Sequence, residues 1–302
     1  MRILITGATG LVGRSLLPLL LEKEMEVIVL TSDILKQNLK QNVLFWDANR
    51  QIFPKNLTHP IDAVIHLAGA NVGKQRWTAQ FKQEIIDSRV KTSAFLLHQL
   101  IQQNNLPKKY ITASGTDYYP NPGNERYAET HKPGNHFLAT VCEKWEAAAK
   151  LWEDQGCKTS IIRTPVVLAH GSAFLQKMMQ SSGLGIIPTT GNPGNQLSWV
   201  HVKDLCSVYL QAATERKPGI WNAVAPEATD MLNFVHNIDK VRNKKTLHPN
   251  VPGWLLKLVL GEMGTLACSD QQVSAEKLLS HGFRYQYPTV AQALHDILNT
   301  KA

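Results

Sequence analysis

A chain of 302 residues, 43% of them hydrophobic, is long enough to bury a sizeable core, and no stretch combines low hydrophobicity with high charge as disordered segments do. The apolar runs Leu16 to Leu21 and Trp254 to Leu260 contain Pro18 and Lys257 and fall far short of the roughly 20 residues of a membrane span. The formal charge of +8 suits anionic ligands, but the dense basic run Lys240 to Lys245 lacks interleaved aromatics and reads as solvated surface, not as a nucleic-acid interface.

Elements then follow in alternation. Arg2 to Thr6 is a short strand-like run ending in glycines, Leu11 to Glu22 has helical apolar spacing, and Glu26 to Thr31 is again strand-like. Further strands are expected at Val43 to Trp46, Ala63 to Leu67, Tyr110 to Ser114, Ser160 to Val167 and Ile220 to Val224. Helices are expected at Thr78 to Gln103, His136 to Glu153 and Val202 to Thr214. This alternation predicts an α/β fold, a doubly wound parallel sheet covered on both faces. Beyond Pro226 helical pieces dominate, at Met231 to Val241, Gly253 to Leu260, Gln271 to Ser280 and Thr289 to Leu298. The expected organisation is a sheet domain over 1–225 and a smaller, mostly helical C-terminal lobe over 226–302.

Ile3-Leu4-Ile5 begins almost at Met1 and leaves no room for a secretory signal, so a cytoplasmic protein is expected. Cys142, Cys157, Cys206 and Cys268 are widely scattered, with no CxxC pair or Cys/His cluster. Neither a metal site nor a disulfide framework is expected, and buried free thiols fit a reducing compartment.

The strongest motif is Thr6-Gly7-Ala8-Thr9-Gly10-Leu11-Val12-Gly13, directly after the first strand and opening the first helix. Gly7 permits the tight turn, Gly10 lets the backbone approach a pyrophosphate, and Gly13 lets the helix pack closely on the sheet. The helix N-terminus presents free N–H groups and the positive end of its dipole. In this strand–turn–helix setting the spacing points to a Rossmann dinucleotide site. The second strand ends in Thr31 and Ser32, where an acid would favour NAD and an arginine NADP. Asp47, after Phe45-Trp46, is placed either to accept from an adenine amino group or to cap a turn.

These residues and several later segments resemble the extended short-chain dehydrogenase/reductase superfamily, also called the NAD-dependent epimerase/dehydratase superfamily. The likeness is greatest to its branch of epimerase family proteins, described as nucleoside-diphosphate-sugar epimerases with a C-terminal domain of unknown function. The segments carrying it run in order along nearly the whole chain: His66 to Ala70, Arg76-Trp77, Ser88-Arg89, Ser114 to Tyr119, Phe137 to Glu146, Arg163 to Leu168, Trp199 to Leu205, Asn222 to Pro226, and Gly282-Phe283 through Tyr287-Pro288-Thr289. The resemblance implies NAD(P) across the carboxyl edge of the sheet and a substrate cleft roofed by the C-terminal lobe. It implies that Gly7, Gly10, Leu11, Val12, Gly13, Thr31, Ser32, Asp47 and Ala48 serve the cofactor. Ala68 and Gly69 are expected along its backbone, Arg76 at its phosphates or ribose, and Val166 near its nicotinamide.

The superfamily usually carries a Tyr-x-x-x-Lys pair whose lysine lowers the tyrosine pKa for proton exchange. Four positions after Tyr110, Tyr118, Tyr119, Tyr127, Tyr209, Tyr285 and Tyr287 stand Ser114, Pro122, Gly123, His131, Ala213, Thr289 and Ala291, so the pair is missing. The helix that should bear it offers Phe137, Leu138, Val141 and Cys142. Ser114, Tyr118 and Tyr119 remain as catalytic candidates, the tyrosines either entering the cleft or packing loop against lobe. Lys144 is expected in solvent and His201 as a structural histidine at a helix start. Ser32 stands where relatives often carry a phosphate-gripping arginine, and the glycine-rich stretch after the sixth strand is reduced to Ala169-His170-Gly171-Ser172-Ala173.

The expectation is an NAD(P)-dependent oxidoreductase or epimerase, NADP the preferred coenzyme and NAD the alternative, with a small hydroxylated or sugar-nucleotide-like substrate. The rival is a dinucleotide-binding sensor or scaffold without turnover. No nucleic-acid or membrane partner is expected, and the chain is expected to be a monomer or homodimer.

Overall fold

The computed structural model describes residues 1–33, 42–55, 57, 59–123, 125–215 and 217–299. Seven parallel strands form the central sheet: β1 (Arg2–Thr6), β2 (Glu26–Thr31), β3 (Asn42–Phe45), β4 (Ala63–His66), β5 (Lys109–Gly115), β6 (Lys158–Thr164) and β7 (Gly219–Asn222). Their spatial order is β3-β2-β1-β4-β5-β6-β7, with Ile3 in register with Val27 on one side and Ala63 on the other. The order reverses between β1 and β4, which opens a crevice at the carboxyl ends of those two strands.

The helices are α1 (Leu11–Glu22), α2 (Ala79–Gln102), α3 (Phe137–Asp154), α4 (Ala173–Gln180), α5 (Val202–Thr214), α6 (Met231–Arg242), α7 (Gly253–Leu260), α8 (Glu276–Ser280) and α9 (Val290–Asn299). Strand residues alternate between the two faces. Ile3, Ile5, Val29 and Ile65 pack with Leu16 and Leu20 of α1 and Leu205 of α5. Leu4, Ile28 and Val64 pack with Phe95 and Leu96 of α2 and Trp152 of α3. Burial on both faces explains why these strands read as unbroken apolar runs.

Helix starts follow from capping. Phe81 N–H donates to Thr78 Oγ1 at 3.2 Å, Ala139 N–H to His136 Nδ1 at 3.3 Å, and Lys203 N–H to His201 Nδ1 at 3.2 Å. Each cap side chain satisfies one of the amides that lack an intrahelical acceptor.

The structure departs from the expected elements at three places. The strand expected over Ser160 to Val167 breaks at Pro165, which has no N–H for the ladder, and Val166–Leu168 pairs instead with Trp199–His201. The expected helix over Gln271 to Ser280 shrinks to α8. Gln272–Val273 pairs with Arg126–Tyr127, and the buried Gln271 amide donates to the carbonyls of Tyr119 and Pro120 at 2.7 and 3.0 Å. Tertiary pairing there outweighs local helical preference. Helix α4, capped by Ser172, follows the shortened glycine-rich loop and was not among the expected elements.

The C-terminal lobe is mostly helical, but its core is not confined to residues after 225. Phe234, Ile238, Leu294 and Ile297 pack with Leu168, Leu175, Ile187 and Trp199. Conversely, Leu278 and Phe283 pack into the sheet's own core beside α1 and α5.

Candidate cofactor site and active site

The turn from β1 into α1 is built from three glycines with different physical reasons. Gly7 has φ +73°, and a Cβ there would lie 2.7 Å from the backbone carbon of Leu67. A Cβ on Gly13 would lie 2.4 Å from the Gly7 carbonyl oxygen, so only glycine lets α1 pack this closely. At Gly10 the only contact would be that same oxygen at 3.3 Å. Gly10 is also the N-cap of α1 and has no side chain to satisfy the helix's first amides. Those donors, with the dipole behind them, are left for an anion. The cradle fits the pyrophosphate of a nicotinamide dinucleotide.

In front of this turn lies a cleft of about 840 Å³. Gly7 to Gly10, Thr31, Ser32, Asp47, Ala48, Ala68 and Gly69 all line it, so the four strand ends read from the sequence converge on one cavity. Asp47 also organises its own turn, its Oδ1 accepting from the amides of Asn49 and Arg50 at 2.9 and 3.2 Å. Leu11 and Val12 lie just inside α1, and Gly13 packs beneath the loop. Arg76 and Val166 are not brought to the wall. The Arg76 guanidinium donates to the carbonyl of Val259 in the C-terminal lobe. Val166 packs with the lobe's apolar core.

Sequence reasoning missed one wall. Gln80, Gln83, Glu84, Asp87 and Ser88 of α2 line the cleft, and their spacing of three and four puts them on one helix face. That polar stripe was legible in principle. Ser88 Oγ accepts from Ala70 N–H at 2.9 Å and so fixes the loop after β4. Beneath it Arg89 is buried, its Nη1 and Nη2 donating to the carbonyls of Ile85 and Ala70 at 2.9 and 3.1 Å. A Cβ on Gly69 would meet the Arg89 guanidinium carbon at 3.1 Å, which accounts for the glycine. Burial lowers the Arg89 pKa to about 10. His66, at the end of β4, is fully buried between Thr6 Oγ1 at 2.8 Å and Thr92 Oγ1 at 3.4 Å. Burial, and then the Arg89 charge, hold its pKa down to about 3, so it is a neutral structural group.

The end of β5 is different in kind. Arg163 of β6, 1% exposed, forms a two-pronged ion pair with Glu146 of α3, Nε to Oε1 and Nη2 to Oε2 both at 2.8 Å. Ser114 Oγ donates to the same Glu146 Oε1 at 2.8 Å. Tyr119, with no exposed surface, accepts from Arg163 Nη1 at 2.8 Å and donates to Asn222 Oδ1 at 2.7 Å. Burial alone would lower the Arg163 pKa, but the bonds and charge of Glu146 raise it. Burial pushes Tyr119 up to about 12, away from the easily ionised phenol that proton exchange needs. Tyr118 lies face-on beneath the Arg163 guanidinium, 3.5 Å from its carbon, and burial raises its pKa too. Ser114 and Tyr119 are thus spent within a buried network, and Leu138 and Cys142 are buried on the adjoining face of α3.

A second cavity, of about 90 Å³, lies between this strand end and the C-terminal lobe. Trp77, Asp117, His136, Phe137, Leu138 and Glu262 are among its lining residues. Trp77 and Gln80, three residues apart at the start of α2, contribute to the two cavities in turn.

A crevice at the strand-order reversal, with a three-glycine turn and an uncapped helix start, defines a Rossmann nucleotide-binding protein. Residues 3–223 match the model of the NAD dependent epimerase/dehydratase family, and residues 251–297 match a domain of unknown function, DUF1731. The chain belongs to the NAD dependent epimerase/dehydratase family. It is 30% identical to an epimerase family protein of Staphylococcus aureus strain MRSA252, the match covering 98% of each chain. Among solved structures it is similar to the human epimerase family protein SDR39U1 (isoform 2) with NADPH, with a TM-score of 0.88, 25% identity and full coverage of both chains. It is also similar to a nucleoside-diphosphate sugar epimerase from Corynebacterium glutamicum, with a TM-score of 0.77 and 26% identity over 99% of this chain and 58% of that one. Membership supports a nicotinamide dinucleotide as cofactor. Among the described residues no helix is long and apolar enough to cross a membrane.

Proposed function

We propose that the chain is an NADP-linked oxidoreductase or epimerase acting on a small hydroxylated or sugar-nucleotide-like substrate. The observation that carries the reading is the cleft itself: the glycine turn, the end of β2 and the turn after β4 face one cavity of about 840 Å³. That volume lies in the range of small-molecule and cofactor sites. The preference for NADP rests on the similar human protein solved with NADPH and on the chain's excess positive charge. The C-terminal lobe supplies the substrate side. NADPH titrated into the wild-type protein, followed by the coenzyme's fluorescence, should saturate, and Gly10→Val should move the midpoint up on the order of 100-fold. Indistinguishable titrations would overturn the reading.

One observation favours a second reading, a dinucleotide-binding sensor without turnover. Leu138 and Cys142 occupy the helix face expected to carry the tyrosine and lysine, and Ser114 and Tyr119 are held in the Glu146–Arg163 network. Reduction of bound NADP⁺ by any hydroxylated substrate in a panel of sugar nucleotides and polyols would remove this reading.

A further inference from the structure

We infer that Asp117 is the proton-exchanging residue of this site, placed on the turn after β5 in the stead of the missing helical tyrosine. The inference rests on the proposal that the cleft holds a nicotinamide dinucleotide. Asp117 lines the 90 Å³ cavity together with Phe137 and Leu138, two of the positions around which the helical tyrosine is expected. The acid thus faces the same space from the strand end that a phenol would reach from the helix. The cavity lies at the carboxyl end of β5. That is the far side of the β1/β4 crevice from β2 and β3, whose ends hold the adenosine half in this fold.

The surroundings suit an acid–base group. Among the described residues no other side chain hydrogen-bonds or ion-pairs with the Asp117 carboxylate, whereas Glu146 and Asp296 each have such partners. Burial raises its pKa above the ordinary carboxylate value, with His136 acting in the opposite sense. His136 caps α3, its Nδ1 accepting from Ala139 N–H at 3.3 Å, with Nε2 3.1 Å from the Tyr119 carbonyl. Cys142 stands beside Asp117 but is pushed up to about 12 by burial and then by Asp117 itself, so it stays a thiol. Glu262, across the cavity, is tied to Lys82. Among the described residues, His136, Cys142 and Glu262 are the titratable groups placed around Asp117.

The step balances simply. As a substrate carbinol loses hydride to an oxidised nicotinamide, its hydroxyl proton passes to the Asp117 carboxylate. The products are a carbonyl, a reduced dinucleotide and a neutral carboxylic acid. The reverse step returns proton and hydride to the same carbon–oxygen bond.

The test needs no known substrate. In the full-length protein labelled with ¹³C-aspartate, the carboxyl resonance that vanishes in both Asp117→Asn and Asp117→Glu belongs to Asp117. Its titration is followed in the free protein, with saturating NADP⁺ and with saturating NADPH. The expected result is a free-state pKa above the ordinary value of about 3.9, and a value roughly one unit lower with NADP⁺ than with NADPH, since only the oxidised ring is cationic. Equal values with both coenzymes bound, or an ordinary free-state pKa, would overturn this assignment and leave the reading of the cleft standing. If neither coenzyme binds, the reading of the cleft falls and the assignment falls with it.

Discussion

The ends of β1 and β5 lie two strands apart in one sheet and have been put to opposite uses. At β1 the backbone is bare: an uncapped helix start and a glycine whose added Cβ would meet a single atom at 3.3 Å. At β5 the strand's own serine and the groups around it are already paired, Ser114 with Glu146, and Arg163 with both Glu146 and Tyr119, Asp117 on the following turn standing apart from them. Unsatisfied donors mark a place kept for a ligand, while a saturated buried network marks a place that holds the protein together. The usual catalytic serine position has moved from the first kind to the second.

The sharpest way to break this contrast is Glu146→Ala. It strands the Arg163 guanidinium, 1% exposed, without its carboxylate, and urea unfolding should show a loss of about 3–5 kcal/mol. A loss below about 1 kcal/mol would mean the network is not structural. Next is Gly10→Val, which should weaken NADPH binding on the order of 100-fold, equivalent to about 3 kcal/mol, by calorimetric titration. Its unfolding free energy should fall by only about 1 kcal/mol, the usual price of a poor N-cap residue. A variant that unfolds as readily as Glu146→Ala would erase the distinction between the two sites.

Acid should separate the regions further. His66 has its pKa lowered from 6.5 to about 3 by burial and then by Arg89. The unfolded chain therefore takes up a proton that the native state refuses, and the stability present above pH 6.5 is lost as pH falls toward 3. The slope from this one residue is at most about 1.4 kcal/mol per pH unit. His201, lowered to about 4 chiefly by burial, adds in the same sense, whereas the raised carboxyl of Asp204 opposes it. Urea midpoints of wild type and His66→Gln measured from pH 7 to pH 5 should diverge on acidification, the variant showing the flatter dependence. Smallest of all, Lys91→Ala removes an exposed pair to Asp87 at 2.7 Å on the cleft helix and should change stability by less than about 0.5 kcal/mol.

The glycine turn was legible because its geometry is local: five residues of strand, a turn that only glycine can make, and a helix start follow one another in the chain. The same holds for β1, α1, β2, α5 and α7, whose observed bounds coincide with the expected ones. Ser114 and Tyr119 stayed open between a catalytic and a packing role because their partners Glu146, Arg163 and Asn222 are 32, 44 and 103 residues away, and nothing local shows who will pair with whom. Asp117 was quoted within a matching segment but not singled out. An aspartate in a turn usually caps its own backbone, as Asp117 also does, and only the tertiary structure shows the cavity it lines. The strand at Gln272–Val273 was missed for a related reason, since its partner Arg126–Tyr127 is supplied from the other half of the chain.

Leu278 and Phe283, near the end of the chain, complete the apolar layer between the sheet and helices α1 and α5. During synthesis at roughly 5–20 residues per second, the glycine turn emerges long before the side chains that seal the layer behind it. The nucleotide-binding half is therefore finished last by the tail, and a nascent chain halted at residue 225 would present an open seam along its first helix.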